Sequence, residues 1–335
     1  MAVTAKELAK ELGISAAAVS MALNGKRGVS TATRKRVLAL AQERGYDFSR
    51  LETSPAVETL TGTIALTIYR KHGAVLTDTP FFFELISGIE AACAQAHYSL
   101  NVHYISEETP VKAQLERLYY CNGMILLATE MKEEDFAPFL DFSVPLVVLD
   151  NYYASLPCDC VLINNRQGVG LAADYIMKKT KTQAGYLRSS YSIGNFEERA
   201  DGFFMAVRAN GYSASMSQVL SLAPSMEGAY QDMKELLNQG EQPVRCYFAD
   251  NDLIAAGAVK ALKEAGFRIP QDVAVIGFDD MPVCTYMEPA LSTIRVPKQY
   301  MGKQAVLRLL SLLQDRDRDT MKIEINTKLV KRNSA

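Results

Sequence analysis

No apolar run in this 335-residue chain reaches the roughly 18 residues that a bilayer-crossing helix requires, which excludes a helical membrane protein. The amino terminus is charged and amphipathic rather than an apolar export signal, so the expected location is the cytoplasm. Histidine is scarce: His72, His97 and His103 stand apart from one another. The six cysteines, Cys93, Cys121, Cys158, Cys160, Cys246 and Cys284, are scattered in apolar surroundings, the pattern of buried thiols in a reducing compartment. Cys158 and Cys160 form a Cys-x-Cys pair, but no second pair and no nearby histidine completes a zinc set. No nucleophile–base pairing accompanies these residues. The expectation is therefore neither a metal site, nor a cofactor, nor an enzyme.

What the chain has is apolar content, 48%, enough for sizeable cores, and an uneven charge distribution. Residues 1–50 hold nine Lys/Arg against four Asp/Glu, and the remainder holds 27 against 34. A basic head on an acidic body suits phosphate binding at one end. Arg34, Lys35 and Arg36 alone would read as a solvated basic surface. The pattern around them changes that reading. Ala5, Leu8, Ala9 and Leu12 fall on one helical face. Gly13 suits a helix C-cap and Ser15 the next N-cap, ahead of a second helix that turns Val19, Ala22 and Leu23 inward. A third opens at Ser30 and packs Val37, Leu40 and Ala41. Three short helices with a glycine turn between the first two form a helix-turn-helix, which lays its second helix in the major groove.

Residues 47–62 are rich in Ser, Thr and charge and read as a linker. Beyond them strand-like and helix-like segments alternate. Strands are expected near 63–69, 99–105, 123–128, 145–150, 161–164, 183–187, 219, 245–249 and 273–278. Helices are expected at 81–96, 111–120, 133–140, 167–178, 196–210, 228–239 and 253–265. This alternation predicts an α/β body of two doubly wound parallel sheets, with ligand bound beyond the carboxyl ends of the strands. Polar residues cluster there: Asp150, the run Asp250-Asn251-Asp252, the pair Asp279-Asp280, and Asn195 with Arg199 at a helix start. Carboxylates and amides suit sugar hydroxyls, an arginine fork grips them in pairs, and an aromatic face stacks on a ring. Asp252 and Asp280 read better as helix caps; Asp150, Arg199, Asn251 and Asp279 read better as ligand contacts.

The chain resembles the lactose-repressor/galactose-repressor (LacI/GalR) family of transcriptional regulators over nearly its whole length. The resemblance rests on Glu-Leu-Ala-Lys-Glu-Leu-Gly-Ile-Ser, Ala-Val-Ser-Met-Ala-Leu-Asn and Val-Ser-Thr-Ala-Thr-Arg-Lys-Arg-Val in the head. In the body it rests on Pro-Phe-Phe-Phe-Glu-Leu-Ile-Ser-Gly-Ile-Glu, Asn-Phe-Glu-Glu-Arg-Ala-Asp-Gly-Phe, Ala-Asp-Asn-Asp-Leu-Ile-Ala-Ala-Gly-Ala and Val-Ala-Val-Ile-Gly-Phe-Asp-Asp, in family order. It implies a repressor that binds double-stranded operator DNA as a homodimer under control of a small polar effector, most simply a sugar or sugar derivative. It implies a head over 1–48, a hinge over 49–62, and a periplasmic-binding-protein-like body over 63–335. The first lobe would comprise 63–160 and 292–320, the second 161–291 and 321–330. Candidate DNA contacts are Ser15, Ala16, Ala17, Ser20, Met21, Asn24 and Arg34. Candidate effector contacts are Phe82, Asp150, Asn195, Arg199, Asn251 and Asp279.

Two departures from the family pattern stand out. Ala16, Ala17 and Ala18 occupy groove-facing positions where relatives often carry larger polar residues, and Met21 stands where arginine is common. The helix therefore lacks the usual bidentate guanine reader. In the hinge, Pro55 replaces the expected wedge leucine and Glu52 adds a charge that phosphate repels, so residues 49–60 are expected not to form the family's minor-groove helix.

Two rival readings remain. Gly168-Val-Gly-Leu-Ala-Ala173 matches a dinucleotide-binding fingerprint, but no suitably placed acidic residue for a ribose follows it, and its glycines fit close helix–sheet packing. A cytoplasmic sugar receptor without DNA-binding activity is the stronger alternative.

Overall fold

The computed structural model describes residues 3–23, 29–46, 61–71, 73, 75–76, 80–118, 120–315 and 319–335. Asn24 and linker residues 49–60, with Glu52 and Pro55, lie outside the described residues. The chain divides into two compact units, 1–59 and 60–335.

The first unit holds α1 (Ala5–Leu12), α2 (Ala16–Leu23) and α3 (Thr31–Glu43). Each begins where a side chain satisfies orphan backbone N–H groups. Thr4 and Glu7 form a reciprocal capping box: the Thr4 N–H donates to Glu7 Oε2 at 2.7 Å and the Glu7 N–H to Thr4 Oγ1 at 3.4 Å. Ser15 Oγ accepts from the Ala18 N–H at 3.1 Å, and Ser30 Oγ from the Thr33 N–H at 3.1 Å. Gly13 ends α1 with φ 69°, a left-handed geometry that glycine adopts without a Cβ penalty. Leu8, Ala9, Val19, Ala22, Leu23, Val37 and Ala41 close the core, with Leu40 packed at its edge.

The second unit runs β1 (Gly62–Arg70), α4 (Pro80–Gln95), β2 (Tyr98–Ser106), α5 (Val111–Leu115), β3 (Gly123–Leu127), α6 (Ala137–Leu140), β4 (Leu146–Leu149) and β5 (Asp159–Ile163). It continues with α7 (Asn165–Thr180), β6 (Gly185–Ser189), α8 (Gly194–Ala209), β7 (Val219–Leu222), α9 (Met226–Asn238), β8 (Cys246–Ala249), α10 (Asp252–Glu264) and β9 (Ala274–Ile276). The last elements are α11 (Val283–Tyr286), β10 (Thr293–Arg295), α12 (Lys298–Gln314), β11 (Lys322–Ile325) and β12 (Lys328–Val330).

One sheet has the order β11-β5-β4-β3-β1-β2, the other β7-β6-β8-β9, and both are parallel throughout. Their central strands are covered on both faces, as β3 shows with every residue buried, so they read as continuous apolar runs. Antiparallel β10 and β12 lie beside the smaller sheet through bridges from Ser292 to Ile276 and from Arg295 to Asp279.

The pairings move the lobe boundaries expected from sequence. β5 belongs to the first lobe's sheet up to Ile163, and β11 pairs with it, Ile325 opposite Ile163, instead of joining the second lobe. β10 stands with the second lobe, and the chain returns to the first only at α12. An apolar run fixes that a segment is a strand; the sheet it joins is decided by distant partners that periodicity does not reveal. Two expected helices are also shorter: 111–120 becomes α5 plus a 3₁₀ turn at Glu116–Leu118, and 133–140 begins as a 3₁₀ turn at Glu133–Phe136.

Within the first lobe α4 and α12 touch backbone to backbone. A Cβ on Gly88 would lie 2.2 Å from the Gln299 carbonyl oxygen, and one on Gly302 would lie 2.4 Å from that of Leu85.

Candidate functional site

In parallel sheets every strand ends on the same side, and here those ends supply the walls of one cavity. From the first lobe come Phe81 and Phe82 at the start of α4, Thr129 beyond β3, Asp150 beyond β4 and Ile163 at the end of β5. From the second come Asn195, Phe196 and Arg199 in the opening turns of α8, Asn251 beyond β8 and Asp279 beyond β9. The cavity encloses about 410 Å³, its open mouth included, and all six residues expected to contact an effector line it.

Arg199 organises the second-lobe wall. It is only 3% exposed, with its guanidinium 3.8 Å from the centre of the Phe278 ring. Its Nε donates to Asn165 Oδ1 at 2.9 Å, Nη1 to the Asp250 carbonyl at 2.5 Å and Nη2 to Asp279 Oδ1 at 3.3 Å. A guanidinium carries five N–H groups, so two remain for a ligand after these bonds. Asp279 is held at φ 109°; burial raises its carboxyl above the ordinary range, against the pull of Arg199 and Lys298.

Asp150 faces Arg199 from the first lobe with φ 66°, again a left-handed backbone at a strand end. Its Oδ2 accepts from the Thr129 hydroxyl at 2.6 Å, while Oδ1 is buried with no hydrogen-bond partner among the described residues. Burial pushes this carboxyl up to about 6, although the Thr129 bond and the Arg199 charge oppose the shift. The Asn195 side chain bridges the lobes, donating to the Asp150 carbonyl at 3.1 Å.

Two expectations from sequence change, and Asn251 gains a second role. Asn251 is the N-cap of α10, its Oδ1 accepting from the Ile254 N–H at 2.8 Å, so only its amide nitrogen is left for the cavity. Asp252 and Asp280 are not caps. Fully buried Asp252 accepts from the Met281 N–H at 2.7 Å and the Thr293 hydroxyl at 2.5 Å, and burial with Asp279 nearby pushes it up to about 7. Asp280 pairs with Arg295 and Arg332, each at 2.6 Å. The helix that carries the dinucleotide-like glycines, expected from residue 167, begins at Asn165. A Cβ on Gly168 would stand 2.7 Å from the Phe278 ring and 2.8 Å from Thr327 Oγ1, while Gly170 faces open space. The first glycine thus serves helix packing.

Asn165, Thr129 and Glu130 are not among the residues expected from sequence, and Asp250 enters there only as part of the polar run 250–252. Asp250 is pushed up to about 6 by burial while accepting from the Ser189 N–H at 2.7 Å and from the Tyr186 hydroxyl. Glu130 gathers the N–H groups of Gly73 at 2.8 Å and Val75 at 2.9 Å, fixing the segment that brings Val75 to the cavity. The available signal is position, since each follows a predicted strand by one or two residues.

In the head, Ser15, Ala16, Ala17 and Ser20 are exposed and Met21 and Arg34 are half-buried, with Lys35 and Arg36 exposed nearby. The six cysteines are unpaired, and burial raises their thiols, Cys93 and Cys160 up to about 12. Among the described residues no cluster of three or more His, Cys, Asp or Glu could hold a metal, and no helix is long and apolar enough to cross a membrane.

Comparison with known proteins gives two family matches. Residues 4–48 match "Bacterial regulatory proteins, lacI family", and residues 173–335 match "Periplasmic binding protein-like domain". The HTH-type transcriptional regulator GalS of Salmonella typhimurium is 30% identical over 309 residues, covering 90% of this chain and 88% of that protein. The ribose operon repressor of Haemophilus influenzae is 30% identical, covering 93% and 92%. Among solved structures, a LacI family transcriptional regulator from Enterococcus faecium with bound ribose is 25% identical with a TM-score of 0.70, covering 82% of this chain and 98% of that one.

Proposed function

This chain belongs to the lacI family of bacterial regulatory proteins, and from that premise we propose that it represses transcription by binding operator DNA as a homodimer, with release or retention set by a neutral, polyhydroxylated effector held between the lobes. Family membership makes it a transcriptional regulator and not an enzyme. One helix-turn-helix reads only half a site, which calls for two heads on a palindrome. The head over 1–48 contacts DNA through Ser15, Ala16, Ala17, Ser20, Met21 and Arg34, with Asn24 beyond the described residues. It acts in the cytoplasm, where its operator lies.

The observation that carries the effector reading is the buried Asp150 Oδ1, an acceptor with no partner among the described residues, opposite an arginine with N–H groups to spare. A hydroxyl satisfies both, donating to the carboxylate and accepting from the guanidinium. An anion would meet two carboxylates, Asp150 and Asp279, for a single arginine. Phe81 and Phe82, in edge-to-face contact at 5.1 Å, add an apolar wall for the face of a ring. The ribose operon repressor and the ribose-bound Enterococcus regulator support a sugar as the first class to try.

Two measurements test the reading. Removing residues 1–48 is expected to abolish specific DNA binding and leave the body folded; retained specific binding would overturn the assignment of the head. Calorimetric titration of the intact protein with neutral pentoses, hexoses and disaccharides is expected to find a ligand whose binding is lost in Asp150→Ala. A ligand that binds the variant equally well would place the site elsewhere.

A further inference from the structure

Asn165 is the first residue of α7, next to the point where the chain leaves the first lobe's sheet. It is 1% exposed. Its amide makes three hydrogen bonds: Oδ1 accepts from Arg199 Nε at 2.9 Å, and Nδ2 donates to Asn195 Oδ1 at 2.8 Å and to Glu198 Oε2 at 2.9 Å. The orientation of the amide follows from its neighbours. Flipped, its NH₂ would face the Nε–H of Arg199 and its oxygen would face the Glu198 carboxylate, so both contacts would be repulsive.

The two partners do different things. Arg199 faces the cavity. Asn195, whose oxygen is held by Asn165, uses its own nitrogen to reach across to the Asp150 carbonyl in the first lobe. One buried amide at the crossover thus holds both the ligand-facing cation and the side chain that binds the lobes together.

We propose that Asn165 is a positioning residue that ties Arg199 to the interlobe hydrogen bond between Asn195 and Asp150, so that occupancy of the cavity and the relative placement of the lobes are sensed by one side chain. Its regulatory meaning rests on the effector reading above; the tie itself does not. Only an amide serves. Aspartate keeps an acceptor for Arg199 but sets an oxygen against Asn195 Oδ1 and Glu198. Alanine removes both links.

The test reads the two links separately in the intact protein. Proton exchange at the Arg199 Nε–H and at the Asn195 side-chain amide is followed by nitrogen-15 NMR in the wild type, Asn165→Ala and Asn165→Asp. In Asn165→Ala both sites are expected to exchange roughly tenfold faster or more, because the Arg199 Nε–H loses its acceptor and Asn195 loses the donor that holds its amide toward the Asp150 carbonyl. In Asn165→Asp the Arg199 site is expected to stay protected while the Asn195 site exchanges faster. Unchanged exchange at Asn195 in both variants would overturn the proposal, as would loss of protection spread evenly over the body, which marks a merely structural role. Where Asn165→Ala fails to fold, Asn165→Asp alone decides through the split between its two sites. D-ribose titrated into the same samples addresses the effector reading independently: if wild type binds no ribose or other neutral sugar, that reading fails while the exchange data still decide the tie.

Discussion

On the helix of the head that is assigned to the major groove, the exposed side chains are Ala16, Ala17 and Ser20, small groups with one hydroxyl among them. In the cleft of the body, Asp150, Asn195, Arg199, Asn251 and Asp279 are all buried, and hydrogen bonds fix most of their polar atoms before any ligand arrives. On the proposed reading the head gains specificity mainly through shape, methyl contacts and backbone placement, while the cleft gains it through charges whose positions are set during folding. Recognition and stability are nearly separate matters in the head and the same matter in the cleft.

Arg199→Ala should break this comparison most forcefully. It leaves Asp279, the Asp250 carbonyl and Asn165 Oδ1 facing an emptied site, so the body should lose about 3–5 kcal/mol of unfolding free energy. Effector binding should weaken by about 2 kcal/mol or more. Chemical denaturation gives the first figure; a loss below about 1 kcal/mol would show that the cleft is not built into the fold as argued.

A smaller effect concerns pH. Burial pushes Asp150 and Asp250 up to about 6 and Asp252 up to about 7, from an ordinary value of 3.8. The folded body thus retains protons that the unfolded chain has released. Stability from these groups is present below about pH 4 and lost as pH rises through 6 to 7, the reverse of the usual carboxylate. Melting curves of the free protein should show this fall, and Asp252→Asn should flatten it. A hydroxyl donating to Asp150 favours the charged form, so effector affinity should drop about tenfold for each pH unit below 6. Affinity that is flat from pH 5 to 7, as read by calorimetry, would remove Asp150 from the ligand contacts.

The smallest shift should come from Met21→Arg, which places a guanidinium on the poorly charged helix of the head. DNA affinity should rise and the slope of log affinity against log salt should steepen by about 0.9. Anisotropy titrations across salt would detect it. An unchanged slope together with an unchanged affinity would mean that position 21 does not face the duplex.

Sequence patterns made the head legible almost to the residue, because caps and apolar spacing act locally: Gly13, Ser15 and Ser30 stand where their chemistry requires. The strand ends of the body were legible for a related reason, since alternation places them and only a few polar residues occupy them. Asn165 and Thr129 stayed hidden because their roles depend on partners 34 and 21 residues away in the chain. Asn251 both faces the cavity and caps α10, a double role that a single polar residue at a strand end does not display in sequence. The lobe boundaries failed at β5 and β11 because a parallel strand carries no local mark of its neighbours.

The contact between α4 and α12 has a mechanical consequence. Where helices meet through interdigitated side chains, rotamer changes can absorb small displacements. At Gly88 and Gly302 backbone meets backbone, so the two helices slide or tilt only together. One of them carries Phe81 and Phe82 at its cleft end, and the other starts just after the chain re-enters the first lobe. Pressure on those rings would therefore be delivered along a stiff two-helix beam to a connection between the lobes. Alanine at position 88 or 302 should act as a spacer in that beam, altering how far a push at the cleft travels without touching a single group that meets the ligand.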